Sequence, residues 1–238
     1  MRLAVFSDVH GNLPALKAVL SDMTSTRPDW VVCAGDLVGY GAFPNEVIEL
    51  IREDRILTVT GNYDDGVGHD RDECGCAYVT ERAKELGQQS LEWTKLHTTP
   101  ENKAFLATLP ASARLSVVNR EVLVVHGSPR RLNEYLYEDR PAATIGRIMD
   151  AASTDALIIG HTHIPYHRVF GDKHLVNAGS VGKPKLGRPT AVYAVVDLSD
   201  QLTVGFVEVP YDFEAAARAI EAAGLPSEFA TALRRGGD

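Results

Sequence analysis

Short unbroken apolar runs alternate along the chain with stretches whose apolar residues recur every three to four positions. Residues 3–6 read as a strand buried on both faces. Residues 13–23 read as a helix with Leu13, Leu16, Val19, Leu20 and Met23 on one side. A second strand at 30–34, a second helix at 44–51 and a third strand at 56–59 follow. That β-α-β-α-β order predicts a largely parallel sheet with right-handed crossovers.

Residues 66–110 break the alternation. "GVGHDRDECGCAY" is polar and glycine-rich, 79–96 returns to helical spacing with Gly87 as an interruption, and Thr99 before Pro100 reads as an N-cap. The stretch is expected to be a helical insertion beside the site of a single domain covering 1–238. Beyond it strands dominate: 114–118 and 121–126 about a turn at Asn119-Arg120, then 156–160, then a hairpin over 166–176 turning at "GDK". A last strand pair is expected at 192–196 and 202–209. A helix capped by Asp139 should follow Pro141, and 212–233 reads as two helices broken at "GLP".

Composition narrows the function. The 238 residues are 45% apolar and 24% charged, as in ordinary globular proteins. A net charge of −8 argues against bulk attraction to nucleic acid or to an anionic membrane. No stretch nears the roughly 18 apolar residues of a membrane span, and "MRLAVFSDVHG" is too polar for a signal peptide. A cytoplasmic location is expected. Three cysteines do not make a disulfide framework. Cys33 reads as a small buried hydrophobe, and Cys74 with Cys76 has too few partners for a zinc site.

The chemistry gathers in five polar clusters, each directly after an apolar strand: "SDVHGN", "AGDLVG", "TGNYDD", "VHGSP" and "GHTHIP". Carboxyl ends of parallel strands collect at one sheet edge, where sites form, so clusters distant in sequence can be neighbours. Asp8 with His10, and His161 with His163, are two apart, and in extended chain such pairs project to one face and can reach one ion together. Asp36 offers a carboxylate that can bridge two ions, Asn62 a neutral oxygen and His126 an imidazole. This mixed nitrogen and oxygen set suits manganese, iron, zinc or nickel better than calcium or magnesium. Each cluster alone reads as a turn or a capped loop; five at strand ends read as a site.

On these residues the chain resembles the calcineurin-like metallophosphoesterase superfamily, whose pattern is D-x-H, G-D, G-N-H-[DE], H and G-H-x-H. "NAGSVGKP" at 177–184 is similar to a loop of its small bacterial and archaeal phosphodiesterase branch. The resemblance implies an α/β fold, a four-layer αββα sandwich of two mixed sheets flanked by helices. It implies two divalent transition-metal ions, manganese foremost, and a bridging hydroxide that attacks a small phosphate ester. Asp8, His10, Asp36 and His163 would hold one ion, and Asp36, Asn62, His126 and His161 the other.

Tyr63 stands where the family pattern has histidine. A phenol's ordinary pKa near 10 makes it a poorer acid than imidazole, so substrates with good leaving groups are expected: phosphodiesters or nucleotides before phosphomonoesters. Asp36, Asn62 and Tyr63 are the catalytic candidates, with His69 or His97 as replacement proton donors. Arg130 is the candidate grip on a phosphoryl oxygen, with Lys183 behind it. The competing readings are an interaction module that keeps the fold without turnover, and a phosphoprotein phosphatase.

Overall fold

The computed structural model describes residues 1–117, 120–199 and 201–237. The first half runs β1 (Arg2–Phe6), α1 (Leu13–Thr26), β2 (Trp30–Cys33), α2 (Pro44–Glu53) and β3 (Leu57–Thr58). Three helices follow, α3 (Asn62–Gly68), α4 (Glu81–His97) and α5 (Pro100–Ala107). The second half runs β4 (Ser112–Val117), β5 (Arg120–Val125), α6 (Ala142–Ala151), β6 (Ala156–Ile159), β7 (Tyr166–Phe170) and β8 (Lys173–Asn177). It closes with β9 (Thr190–Leu198), β10 (Leu202–Pro210), α7 (Phe213–Ala222) and α8 (Ser227–Arg235).

Two five-stranded sheets result, ordered β10-β9-β1-β2-β3 and β4-β5-β6-β8-β7. The β1–β3 block is parallel, as its crossover helices require, but β9 and β10 add to its edge antiparallel. In the second sheet β5, β6 and β8 are parallel between antiparallel edges β4 and β7. Both sheets are therefore mixed, where the first strands alone suggested a largely parallel one.

The alternation within each strand sorts its side chains between layers. Leu3 and Val5 join Val122, Val124, Ile158 and Val176 in the core between the sheets. Ala4 and Phe6 turn the other way, onto Leu16 and Val19 of α1 and Ile48 of α2. Leu123, Leu157 and Ile159 pack outward on Ile145, Ile148 and Met149 of α6. Both faces of the central strands are covered, so they read in sequence as unbroken apolar runs. This is the αββα sandwich.

Local chemistry sets most element ends. Asn12, Thr80 and Thr99 each accept from a backbone N–H in the first turn of α1, α4 and α5, at 3.2, 3.1 and 3.3 Å. Three expectations change. Asp139 does not cap α6, whose N-cap is Pro141, without a side-chain cap bond. Gly87 does not interrupt α4, which is continuous. "TGNYDD" is neither a turn nor a strand end alone, for Asn62 opens α3 with Gly61 as its N-cap. Of the expected Asn119-Arg120 turn, Asn119 lies outside the described residues and Arg120 begins β5. Among the described residues no helix is long and apolar enough to cross a membrane.

Candidate metal centre

Seven polar side chains follow directly on the carboxyl ends of β1, β2, β3, β5 and β6, and the sandwich brings those ends together. The site residues Asp8, His10, Asp36, Asn62, His126, His161 and His163 are all buried. Five of them hold left-handed backbone: Asp8, His10, Asp36, His161 and His163 have φ between 48° and 66°. Each such residue costs on the order of 1–3 kcal/mol, a strain that concentrates at functional sites. The pairs two apart are thus not extended, as the spacing argument assumed. His161 and His163 point into different groups, while Asp8 and His10 do share one.

Asp8, His10 and His163 form the first group, and Asp36, His126 and His161 the second, the ligand atoms within each lying within 4.8 Å of one another. Asp8 Oδ1 lies 3.3 Å from His163 Nε2 and 3.7 Å from His10 Nε2. In the second group His126 Nε2 is 3.0 Å from Asn62 Oδ1 and 3.1 Å from His161 Nδ1. Asp36 Oδ2 sits between the groups, 3.4 Å from His126 Nε2 and 3.7 Å from His10 Nε2.

The rest of the protein fixes these atoms. His10, His126 and His163 each present Nδ1 to a backbone carbonyl, of Val38, Ala34 and Lys183, at 3.0, 2.8 and 2.8 Å. A carbonyl only accepts, so Nδ1 carries a proton in each ring, and in His10 and His163 Nε2 is left as a lone pair aimed inward. Asp36 Oδ1 accepts the Tyr63 N–H at the start of α3, at 2.8 Å. Asp64 ties the two loops: its carboxylate accepts from the backbone N–H groups of Asp36, Leu37 and Gly61 at 2.8, 2.8 and 2.9 Å. Gly61 is required by this closeness, because a Cβ there would meet Asp36 Oδ1 at 2.1 Å. From behind, the Ser180 hydroxyl and the Gly182 N–H both donate to the Asp8 carbonyl at 2.9 Å.

This donor set fits cations. Asp8 Oδ1 and His161 Nε2 are buried without a hydrogen-bond partner, and unsatisfied buried polar atoms are rare. Burial pushes His10 down to about 4 and, helped by His126, His161 down to about 3. His163 lies well below its ordinary value through burial and nearby Lys185. These imidazoles are neutral, as ligands must be. Burial raises Asp8 to about 7. Burial also opposes charge on Asp36 and His126, but their mutual attraction prevails, holding Asp36 at about 2 and His126 at about 9. The metal-free site thus keeps a proton on His126 where a cation would sit.

The groups open into a cavity of about 580 Å³. Its walls come from the 76–87 stretch, from Tyr135 and Tyr137, and from α8 with Glu228, Phe229 and Arg235. The roof is tied together: Leu86 and Trp93 of α4 pack on the cluster containing Ile220, Phe229 and Leu233, and Trp93 Nε1 donates to the Ala223 carbonyl at 3.0 Å. Tyr135 lies over His161 with ring centroids 4.0 Å apart, and Tyr137 stacks beyond it at 5.7 Å and 14°.

The other sequence candidates fare differently. Arg130 is not among the residues lining this cavity; its guanidinium is captured by Glu134, four residues on, with Nε 3.1 Å from Oε2. His69 is held by the Asp65 carbonyl at 3.2 Å, and His97 stacks on Trp93 with ring centroids 3.9 Å apart, so neither reaches the cavity. Tyr63 does line it, yet is fully buried, with its hydroxyl donating to the Gly87 carbonyl at 3.4 Å. Burial holds its phenol well above the ordinary range. Lys183 lines the cavity, and so do Lys185 and Arg235, which no sequence motif marked.

Residues 1–201 match the family model described as the calcineurin-like phosphoesterase superfamily domain. An uncharacterized protein of Methanocaldococcus jannaschii is 33% identical, over 94% of this chain and 93% of that one. Phosphodiesterase YfcE of Escherichia coli is 25% identical, over 88% and 98%. A crystal structure of a metallophosphoesterase from Sphaerobacter thermophilus superposes with a TM-score of 0.77 at 32% identity, covering 99% of each chain.

Proposed function

Because the chain belongs to the calcineurin-like phosphoesterase superfamily, we propose that it is a metal-dependent phosphohydrolase acting on small phosphodiesters or nucleotides. The observation that carries this reading is the convergence of unprotonated imidazole nitrogens on the partnerless Asp8 Oδ1. Asp8, His10 and His163 would hold one divalent cation, and Asn62, His126 and His161 a second, with Asp36 between them. Manganese is the first choice, with iron, zinc or nickel possible for the same donors. When bound, such cations lower the pKa of water toward neutrality and stabilise charge on phosphoryl oxygens.

The chain's own residues do the rest. Lys183, Lys185 and Arg235 bring positive charge to the cavity of an acidic protein, so an anionic substrate is drawn to this opening. The roof of α4 and α8 favours small substrates over a folded phosphoprotein. Tyr135 and Tyr137 offer flat surfaces to an aromatic ester group or a nucleobase. With the Tyr63 hydroxyl engaged by Gly87, the residue at the family's histidine position offers no strong acid to a leaving group, which favours esters whose leaving group needs none. The similarity to phosphodiesterase YfcE supports the same preference.

The test is hydrolysis by chelator-stripped, manganese-reloaded protein of an aryl phosphodiester and the matching monoester, with Asp36→Ala as control. The diester should turn over faster than the monoester, in line with the similarity to phosphodiesterase YfcE. That activity should need metal and vanish in the variant. A faster monoester would overturn the diester preference; silence on both with metal bound would overturn the hydrolase.

A further inference from the structure

Between α3 and α4 the chain reads Cys74-Gly75-Cys76, a pair with no role in the chemistry proposed above, although Cys76 lines the cavity. Gly75 adopts φ +68°, a left-handed turn that brings both thiols to one side, with Sγ atoms 3.0 Å apart. The turn is pinned from outside by Asn133 Nδ2, which donates to the Gly75 carbonyl at 2.7 Å. Neither sulfur belongs to the two candidate ligand groups. Cys76 nevertheless touches one of their members, for Asn62 Nδ2 donates to its Sγ at 3.2 Å. The same amide turns Oδ1 to His126 Nε2. An amide has one accepting and one donating end, so the sulfur on one side selects the orientation that presents oxygen to the imidazoles.

Both thiols are half-buried and Gly75 between them is exposed, within reach of a small oxidant, whereas Cys33 is fully buried. We propose that Cys74 and Cys76 are a modification site for hydrogen peroxide, closing reversibly to an intrachain disulfide that releases the Asn62 amide and loosens the cation group it serves. The metal consequence rests on the reading of Asn62 as a ligand; the disulfide does not.

The chemistry balances in two steps. The sulfur of one thiol attacks a peroxide oxygen, the O–O bond breaks, and the thiol proton leaves with the departing hydroxide as water, giving a sulfenic acid. The second sulfur attacks the sulfenic sulfur; an S–S bond forms, the S–O bond breaks, and a second water leaves. Two electrons pass from the sulfurs to the peroxide. Closing the pair to the ~2 Å of a covalent bond draws Cys76 toward Cys74 and leaves a weaker acceptor opposite Asn62.

The full chain, purified reduced, is treated with hydrogen peroxide, digested without reductant and mapped by mass. A peptide with Cys74 joined to Cys76, two hydrogens lighter and restored by dithiothreitol, is expected, with Cys33 still free. Manganese titration of the oxidised protein should show one equivalent weakened by about 10- to 100-fold, the usual effect of losing a ligand's supporting partner, and recovery on reduction. Cys74→Ser keeps the Cys76 acceptor but cannot close the ring, so peroxide should leave its manganese affinities unchanged. Free thiols at both positions after treatment, or a mapped disulfide with unchanged manganese affinities, would overturn the proposal. A reduced protein that binds no manganese would refute the cation sites instead, with the peptide map still deciding the disulfide.

Discussion

The Nε2 atoms of His10 and His163 stand 3.3 Å apart with their lone pairs facing one another. Each ring spends its only proton on a backbone carbonyl at Nδ1, so no hydrogen bond can join the two nitrogens. Asp8 Oδ1 faces the same point, 3.3 Å from His163 Nε2. The arrangement is unfavourable in itself, and a bound cation would relieve it and make metal binding part of this protein's folding energy.

Manganese should therefore raise thermal stability strongly. At a free concentration 100 times Kd, each site adds about 2.7 kcal/mol. At roughly 2–4 °C per kcal/mol for a chain of this size, that is a rise of about 5–10 °C per site. Calorimetric melts with manganese and with chelator decide the matter, and coincident melts would count against both sites.

Metal affinity should climb with pH. In the metal-free protein Asp8 holds its proton up to about 7 and His126 up to about 9, while His10 and His161 are already neutral. Filling the site below pH 7 displaces two protons, and between 7 and 9 only one. The combined affinity should rise about a hundredfold per pH unit in the first range and about tenfold in the second. Titration calorimetry in buffers of different ionisation enthalpy counts the protons directly; none released at pH 6.5 would contradict these assignments.

Asp64 acts through its neighbours. Its carboxylate accepts three backbone N–H bonds that hold the Asp36 loop against the start of α3. Asp64→Asn keeps the shape but turns a donor toward those N–H groups. Leaving a buried N–H of this set unsatisfied costs about 1–3 kcal/mol, so a loss of at least about 1 kcal/mol is expected in denaturant unfolding. Manganese affinity should fall about 10- to 100-fold with it. A variant with normal stability and normal affinity would remove Asp64 from this role.

Tyr63 is expected to serve by packing and by its backbone N–H rather than by its hydroxyl. Tyr63→Phe retains the ring against His10 and Tyr40 and the N–H bond to Asp36. Diester turnover should change by less than about tenfold, against the 10²–10⁴ that loss of a general acid brings. A fall of a hundredfold or more in kcat would restore the hydroxyl to the chemistry.

Much of this was legible in the sequence, for physical reasons. The central strands are covered on both faces, so Val122, Val124, Leu123 and Leu157 stand in unbroken apolar runs, and the polar clusters at their ends mark the functional edge. The left-handed backbone at Asp8, His10, Asp36, His161 and His163 was not legible, because residue type does not announce a strained φ outside glycine. That strain divides His161 from His163 between the two groups. Arg130, the candidate grip on a phosphoryl oxygen, stands outside the cavity lining and pairs with Glu134 four residues on, a competition the motif does not reveal. The roof was hidden for a different reason: α8 joins the cavity through tertiary packing on Trp93 and Leu86, more than 130 residues distant in sequence.

The central claim, that seven side chains form two cation sites sharing Asp36, is tested most directly by counting manganese per chain. The protein is stripped with chelator, reloaded, freed of excess metal and analysed by elemental emission, beside Asp36→Ala. Two equivalents in the parent chain and fewer in the variant are the expected result. One equivalent or none in the folded parent chain would contradict it.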